Sequence, residues 1–87
     1  MKYEKSLKLL KDFAYDGIFT SDDLLPLVID CMDAYFEDNG FNKEEISDKV
    51  IEKSWEITTK SYEEGNVTPE KIESLLTKAI EEIKEEL

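Results

Sequence analysis

Apolar residues along this chain fall into four segments with helical spacing. In the first, about residues 2–15, they recur every three or four positions, as on the buried face of an amphipathic helix. Similar spacing returns over about residues 21–38, 43–64 and 69–86. No segment shows the strict two-residue alternation that is typical of a half-buried strand. The pattern therefore predicts an all-α protein of about four helices.

A glycine stands between each predicted helix and the next. Gly17, Gly40 and Gly65 can end a helix in the left-handed conformation, and each lies shortly before a Thr or Asn that can cap the following helix. The connections are short, and short connections favour antiparallel neighbours. We therefore expect a compact bundle, residues 1–87, that forms a single all-helical domain with short Gly-containing turns.

The second segment is apolar around more than half of its circumference, which predicts a central helix in contact with most of the others. Pro26 lies inside this segment. A proline past the first turn removes a backbone hydrogen bond and crowds a carbonyl group. We therefore expect residues 20–25 to form a separate turn, with the helix restarting near Pro26; a kinked helix is the alternative.

The third segment carries two stripes about a third of a turn apart. The first stripe contains Ile46, Val50, Ile57 and Ser61. The second stripe contains Ile51, Trp55, Thr58 and Tyr62. Two stripes on one helix indicate either packing between two neighbouring helices or one stripe that serves a partner. Phe19 and Phe41 flank capping positions and are expected in the core.

Charge is the strongest compositional feature. The chain has 22 acidic and 11 basic residues, with a net charge of −11, and every base is lysine. No base occurs between Lys11 and Lys43. Phosphate backbones and anionic membranes are bound by clustered Lys and Arg, so we expect neither nucleic acid nor membrane as a direct partner. The charge indicates either solubility alone or a specific basic partner.

The residue types that most often carry catalysis are missing. Histidine and arginine are absent, which removes the commonest general base and the best bidentate anion ligand. Cys31 lies on the apolar arc of the second helix, where burial keeps a thiol unreactive. With one cysteine, no signal-like start and no long apolar run, the sequence predicts a cytoplasmic protein. We expect no enzymatic activity, no cofactor and no metal.

Residues 12–23 align in part with a calcium-binding EF-hand loop. Aspartates occupy loop positions 1 and 5, Gly17 occupies position 6, and Asp23 occupies position 12. However, Ala14 replaces the ligand at position 3, and Asp23 is shorter than the usual Glu. Helix capping accounts for the same residues, so a degenerate calcium module is the weakest hypothesis.

An acidic strip on the second helix is the main candidate for partner binding. This strip, the acidic ridge, contains Asp23, Asp30, Asp33 and Glu37. Trp55 and Tyr62 are added as aromatic anchors, because Trp and Tyr are enriched at the energetic centres of interfaces.

Complementary charge speeds association and excludes wrong partners. The sequence therefore predicts a small acidic protein-binding regulator, a stoichiometric inhibitor or adaptor that docks on a basic surface. A nucleic-acid-binding enzyme is the most concrete partner, and the inhibitor is then of phage or plasmid origin. The alternative is a structural helical subunit that homodimerises through the third helix.

Overall fold

The computed structural model describes residues 1–16, 21–64 and 68–87, except the side chains of residues 15, 16, 21–23, 43, 62 and 64. The described residues form four α-helices and no strand. The helices are α1 (Lys2–Asp16), α2 (Ser21–Asp38), α3 (Lys43–Glu64) and α4 (Pro69–Glu86). The prediction of an all-α, four-helix bundle is confirmed.

Neighbouring helices in the bundle run antiparallel. Each helix packs against the next in the chain, α4 closes the ring against α1, and α2 also approaches α4 across the centre. Ion pairs show the directions: Lys2 at the start of α1 meets Glu37 at the end of α2. Lys49 near the start of α3 meets Glu86 at the end of α4. The arrangement places α1 and α3 at opposite corners.

The core is built around α2, as its wide apolar arc predicts. Its most buried side chains pack with residues from all three other helices in one hydrophobic cluster. The fully buried members on α2 are Leu24, Val28, Cys31, Met32 and Phe36. On α1 and α4 the buried stripes follow the sequence pattern, with Leu10 and Ala14 on the first helix and Ile72, Leu76 and Ile83 among those on the last.

The predicted separate turn before Pro26 is wrong, because α2 is one continuous helix from Ser21 to Asp38. Leu24 and Val28, on either side of the proline, are both fully buried, whereas Pro26 is exposed. Burying two such side chains contributes about 3–6 kcal/mol. That gain matches or exceeds the roughly 3 kcal/mol cost of a proline inside a helix. Packing therefore holds both segments in one helix.

The helix boundaries use the capping residues that the sequence indicates. Gly40 adopts a positive φ of 78° after α2. The Asn42 side chain then accepts a hydrogen bond from the backbone N–H of Glu44 at 3.0 Å. Thr68 caps α4 by accepting from the backbone N–H of Lys71 at 3.2 Å. Gly17 and Gly65 lie outside the described residues.

The two stripes of α3 have different fates. All four members of the first stripe are buried, as predicted. In the second stripe, Thr58 is buried and donates to the carbonyl oxygen of Ser54 at 2.8 Å. Ile51 and Trp55, by contrast, are exposed, and the side chain of Tyr62 lies outside the described residues. Of the second stripe, Thr58 therefore packs into the core, whereas Ile51 and Trp55 do not.

Aromatic rings form a row at the end of the bundle where α2 meets α3. Tyr3, Tyr35, Phe36 and Phe41 follow each other edge to face, with ring centroids 5.2, 5.3 and 5.2 Å apart. Phe41 packs edge to face on Phe36 but remains 37% exposed, so its predicted place inside the core is wrong. Phe19 lies outside the described residues.

Candidate functional site

The acidic ridge lies beside the groove between α1 and α2. Asp30 and Glu37 are exposed and Asp33 is partly buried. These three residues line the groove together with Ala34 of α2 and with Lys2, Lys5 and Ser6 of α1. Asp23 lies nearer the start of α2 than these three residues, and its side chain is outside the described part of the structure. The ridge therefore faces two lysines of its own chain.

Two carboxylates at the end of α2 hold the start of α1. Glu37 forms an ion pair with the amine of Lys2, and this hydrogen bond and charge raise the pKa of Lys2. Asp38 accepts hydrogen bonds from the backbone N–H of Tyr3 at 2.9 Å and of Lys2 at 3.4 Å. An anion at a helix N-terminus is stabilising. Part of the ridge charge is thus compensated within the molecule.

A second surface, the α3 face, is the exposed side of α3 defined by Asp48, Ile51, Glu52, Trp55, Glu56, Thr59 and Lys60. Trp55 is 52% exposed and Ile51 is 43% exposed, one helical turn apart. A shallow depression beside Trp55 is lined by Glu52, Trp55, Glu56, Thr59 and Lys60. The α3 face therefore combines an apolar centre with three carboxylates and one amine.

Two other lysines of α3, Lys49 and Lys53, form ion pairs with α4. Lys53 contacts Glu82 of α4 at 2.7 Å and also approaches Glu56 at 3.5 Å. Lys49 contacts Glu86 at 2.9 Å. Hydrogen bonds and charge from these lysines lower the pKa values of Glu82 and Glu86.

Two carboxylates of the α3 face lack a counter-charge. Within the described ranges, Asp48 and Glu52 form no ion pair. The lysines nearest in sequence contact α4 instead. The α3 face consequently keeps the charges of Asp48 and Glu52 uncompensated by an ion pair, whereas its Glu56 is paired with Lys53 as Glu37 of the ridge is with Lys2.

The described residues place no activated nucleophile in a cavity. Cys31 is fully buried. Burial, with a smaller contribution from the charge of Asp30, raises the pKa of its thiol to about 12. The thiol is therefore protonated at neutral pH.

The described parts of the chain hold neither a metal-ligand cluster nor a membrane-spanning helix. Residues 1–16, 21–64 and 68–87 hold no group of three or more potential metal ligands. Much of the calcium-loop alignment, residues 12–23, falls outside the described part of the chain. None of the four helices is long and apolar enough to cross a bilayer in its described residues.

The structure separates two parts of the predicted site. The groove along the acidic ridge and the depression beside Trp55 share no lining residue. The sequence prediction groups Trp55 with the ridge and does not include the acids of α3, the helix that carries Trp55. The missed signal is the four-residue spacing of Asp48, Glu52 and Glu56, which puts them along the side of α3 that carries Trp55.

Comparisons with known proteins give no assignment. No protein-family model matches the chain, and neither curated proteins nor solved structures show a significant match. Function must therefore be argued from the charge and shape of the surface.

Proposed function

We propose that this chain is a small acidic protein-binding regulator that docks electrostatically on a basic surface of another protein. In its most concrete form it is a stoichiometric inhibitor or adaptor of a nucleic-acid-binding enzyme, whose Lys/Arg-rich surface it occupies in place of phosphates. The proposal includes a cytoplasmic location and no catalytic activity. A buried, protonated Cys31 and the absence of histidine and arginine from the sequence support it.

The main support for the proposal is that several lysines are bound by glutamates of the same chain. Ion pairs with glutamates of the same chain engage Lys2, Lys11, Lys49, Lys53 and Lys84. The chain has twice as many acids as bases, 22 against 11, so the pairing leaves the exterior strongly negative. A one-sign field of this kind can raise association rates with an opposite surface by about 10- to 1000-fold at low salt.

The test is to isolate the partner and measure how salt changes its association. A tagged copy of the chain is used to capture partners from cells that express it, and the captured protein is identified and purified. The proposal expects a partner with a Lys/Arg-rich contact surface and an association rate that falls steeply as ionic strength rises. An association that does not respond to salt, or a partner whose contact surface is acidic, would contradict it.

The exposed apolar pair on α3 supports a second candidate, a structural subunit that homodimerises through this helix. In a two-fold dimer, Ile51 and Trp55 of one copy would meet the same surface of the other. The carboxylates of the α3 face would then meet each other, which opposes the contact. Sedimentation at micromolar concentration decides: a monomer at moderate salt removes this candidate, and a dimer that persists supports it.

A further inference from the structure

We propose that the α3 face is the docking site for the basic partner, and that it accepts a segment in which an apolar side chain is flanked by lysines or arginines. This inference rests on the proposed function and deepens it, because it names the surface and the chemistry of the segment bound there. Its three supports are the exposed apolar centre, the carboxylates around it, and the compensation of the competing acidic ridge.

The apolar centre supplies the anchor. Trp55 and Ile51 are one turn apart and together present an apolar surface at mid-helix. Tryptophan is enriched among interface residues that dominate binding energy. Leu9, 62% exposed, stands instead on α1 beside Lys5 and Lys8. The partner is therefore expected to place an apolar side chain on Trp55.

The carboxylates around this centre select the sign of the segment. Asp48, Glu52 and Glu56 lie along the side of α3 that exposes Trp55. Lys60 adds a positive charge to the depression, and Lys53 pairs with Glu56, so Asp48 and Glu52 are the two carboxylates that an incoming base meets first. Because Asp48 and Glu52 have no ion pair within the described chain, no internal bond must break before a partner's lysine or arginine reaches them. The same charges oppose a second copy of this chain and repel a phosphate backbone.

The acidic ridge is the weaker site for the same partner. Lys2 already binds Glu37, and Lys5 lines the same groove. A lysine or arginine of the partner must compete with the amine of Lys2, which α1 holds beside the ridge. Part of the free energy gained from the new ion pair is therefore offset. The groove with α1 has no aromatic lining residue, and Phe41, which lines a second pocket with Asp33 and Glu37, is less exposed (37%) than Trp55 (52%).

The experiment uses the intact chain and its single tryptophan as the reporter. Two synthetic peptides serve as probes. Both have the same lysine and leucine composition, but only one places its leucines at i and i+4 in a helix, flanked by lysines. Burial of Trp55 shifts its emission to shorter wavelength. We expect a saturable blue shift with the ordered peptide and binding roughly tenfold weaker for the scrambled one.

Two variants matched in net charge locate the binding site. Asp48→Lys with Glu52→Lys changes the α3 face, whereas Asp30→Lys with Glu85→Lys makes the same charge change elsewhere, on exposed positions of α2 and α4. We expect the first variant to weaken binding of the ordered peptide at least about tenfold and the second by no more than about twofold. Circular dichroism and the melting temperature establish that both variants are folded.

Each contrary result has a defined meaning. If neither peptide shifts the emission, or if both variants lose binding equally, the α3 face is not the site and the inference is overturned. A blue shift that grows with protein concentration alone means that a second copy covers the face, which also overturns it. None of these results touches the salt dependence of the natural partner, so the proposed function stands or falls separately.

Discussion

The acidic ridge on α2 and the α3 face contain the same kind of charge but differ in their neighbours. On the ridge, Glu37 is bound by Lys2, and Asp38 at the end of α2 accepts two backbone hydrogen bonds from α1. On the α3 face, Asp48 and Glu52 surround an exposed tryptophan and have no such partner among the described residues. Asp38 thus stabilises the start of α1 and Glu37 is compensated by Lys2, whereas Asp48 and Glu52 form no ion pair in the described chain.

The difference shows that the positions of acids on a helical wheel do not by themselves identify a binding surface. Whether a carboxylate is available depends on the helix packed beside it. For α2 that neighbour is α1, whose lysines are the densest in the chain. For α3 it is α4, whose glutamates bind Lys49 and Lys53 and leave Asp48 and Glu52 without an ion pair in the described chain.

The largest effect is expected in the core beneath the end of the acidic ridge. Phe36 is fully buried and lies between Tyr35 and Phe41 in the aromatic row. Phe36→Ala should lower the free energy of unfolding by about 3–5 kcal/mol, through lost burial and the cavity left behind. Urea denaturation measures it, with Phe36→Leu as the milder control. A loss below about 1 kcal/mol would mean that Phe36 is not the tightly packed core residue that its burial indicates.

A smaller effect should be confined to the ridge side of the molecule. Asp38→Ala removes the acceptor for the N–H groups of Lys2 and Tyr3 and should cost about 1 kcal/mol, as lost helix caps do. Hydrogen exchange should speed up in the first turn of α1 and stay unchanged in α3. Asp38→Asn keeps an acceptor oxygen and should recover part of the loss. Equal acceleration in both helices would contradict the local role of Asp38.

Trp55 should matter for binding and hardly for stability. Because it is half exposed, Trp55→Ala should change the free energy of unfolding by no more than about 0.5 kcal/mol. The same variant should abolish binding of the ordered basic peptide, measured by calorimetry. Leu9→Ala, at another exposed apolar position, is the matched control and should leave binding intact. If Trp55→Ala unfolds the protein, this residue belongs to the core.

The fold was readable from the sequence because apolar spacing and capping residues agree with each other. Thr68 and Asn42 cap the helices that they were expected to cap. Pro26 was misjudged because local propensity says nothing about the burial of Leu24 and Val28 on either side of it. The exposure of Phe41 also depends on packing that the sequence does not show, because the core position beside it is occupied by the fully buried Phe36.

The candidate surfaces were less readable than the fold. The sequence identifies Asp30, Glu37 and Trp55 but does not show that they lie on separate surfaces. Nor does it reveal that Lys2, far away in the chain, compensates Glu37. Such pairings depend on which helices become neighbours, and helical periodicity alone does not determine that.

A smaller effect is expected from the ion pairs that draw lysines away from the α3 face. Lys53 lowers the pKa of Glu82, so this pair stabilises the fold at neutral pH and its contribution is lost as pH falls through the lowered value. Lys53→Met should therefore lower the urea midpoint slightly at pH 7 and have no effect once Glu82 is protonated. If the difference in urea midpoint between the variant and the parent stays constant in acid, the aliphatic part of Lys53, and not its charge, stabilises the fold.

The smallest expected effect is at Lys2. Lys2→Gln breaks the exposed pair with Glu37, and exposed pairs contribute little to stability, so the melting temperature should not change measurably. The ridge should become more negative, and the scrambled basic peptide should bind slightly better. Unchanged binding would show that Lys2 does not compensate the ridge.

Hydrogen exchange of the chain in complex with its captured partner tests the central claim most directly. Amides are compared between free and bound protein at moderate salt, across residues 44–60 of α3 and residues 26–38 of α2. Docking on the α3 face should add protection along α3, centred on Trp55, with little change in α2. Protection centred on Asp30 and Glu37, with α3 unchanged, would contradict it.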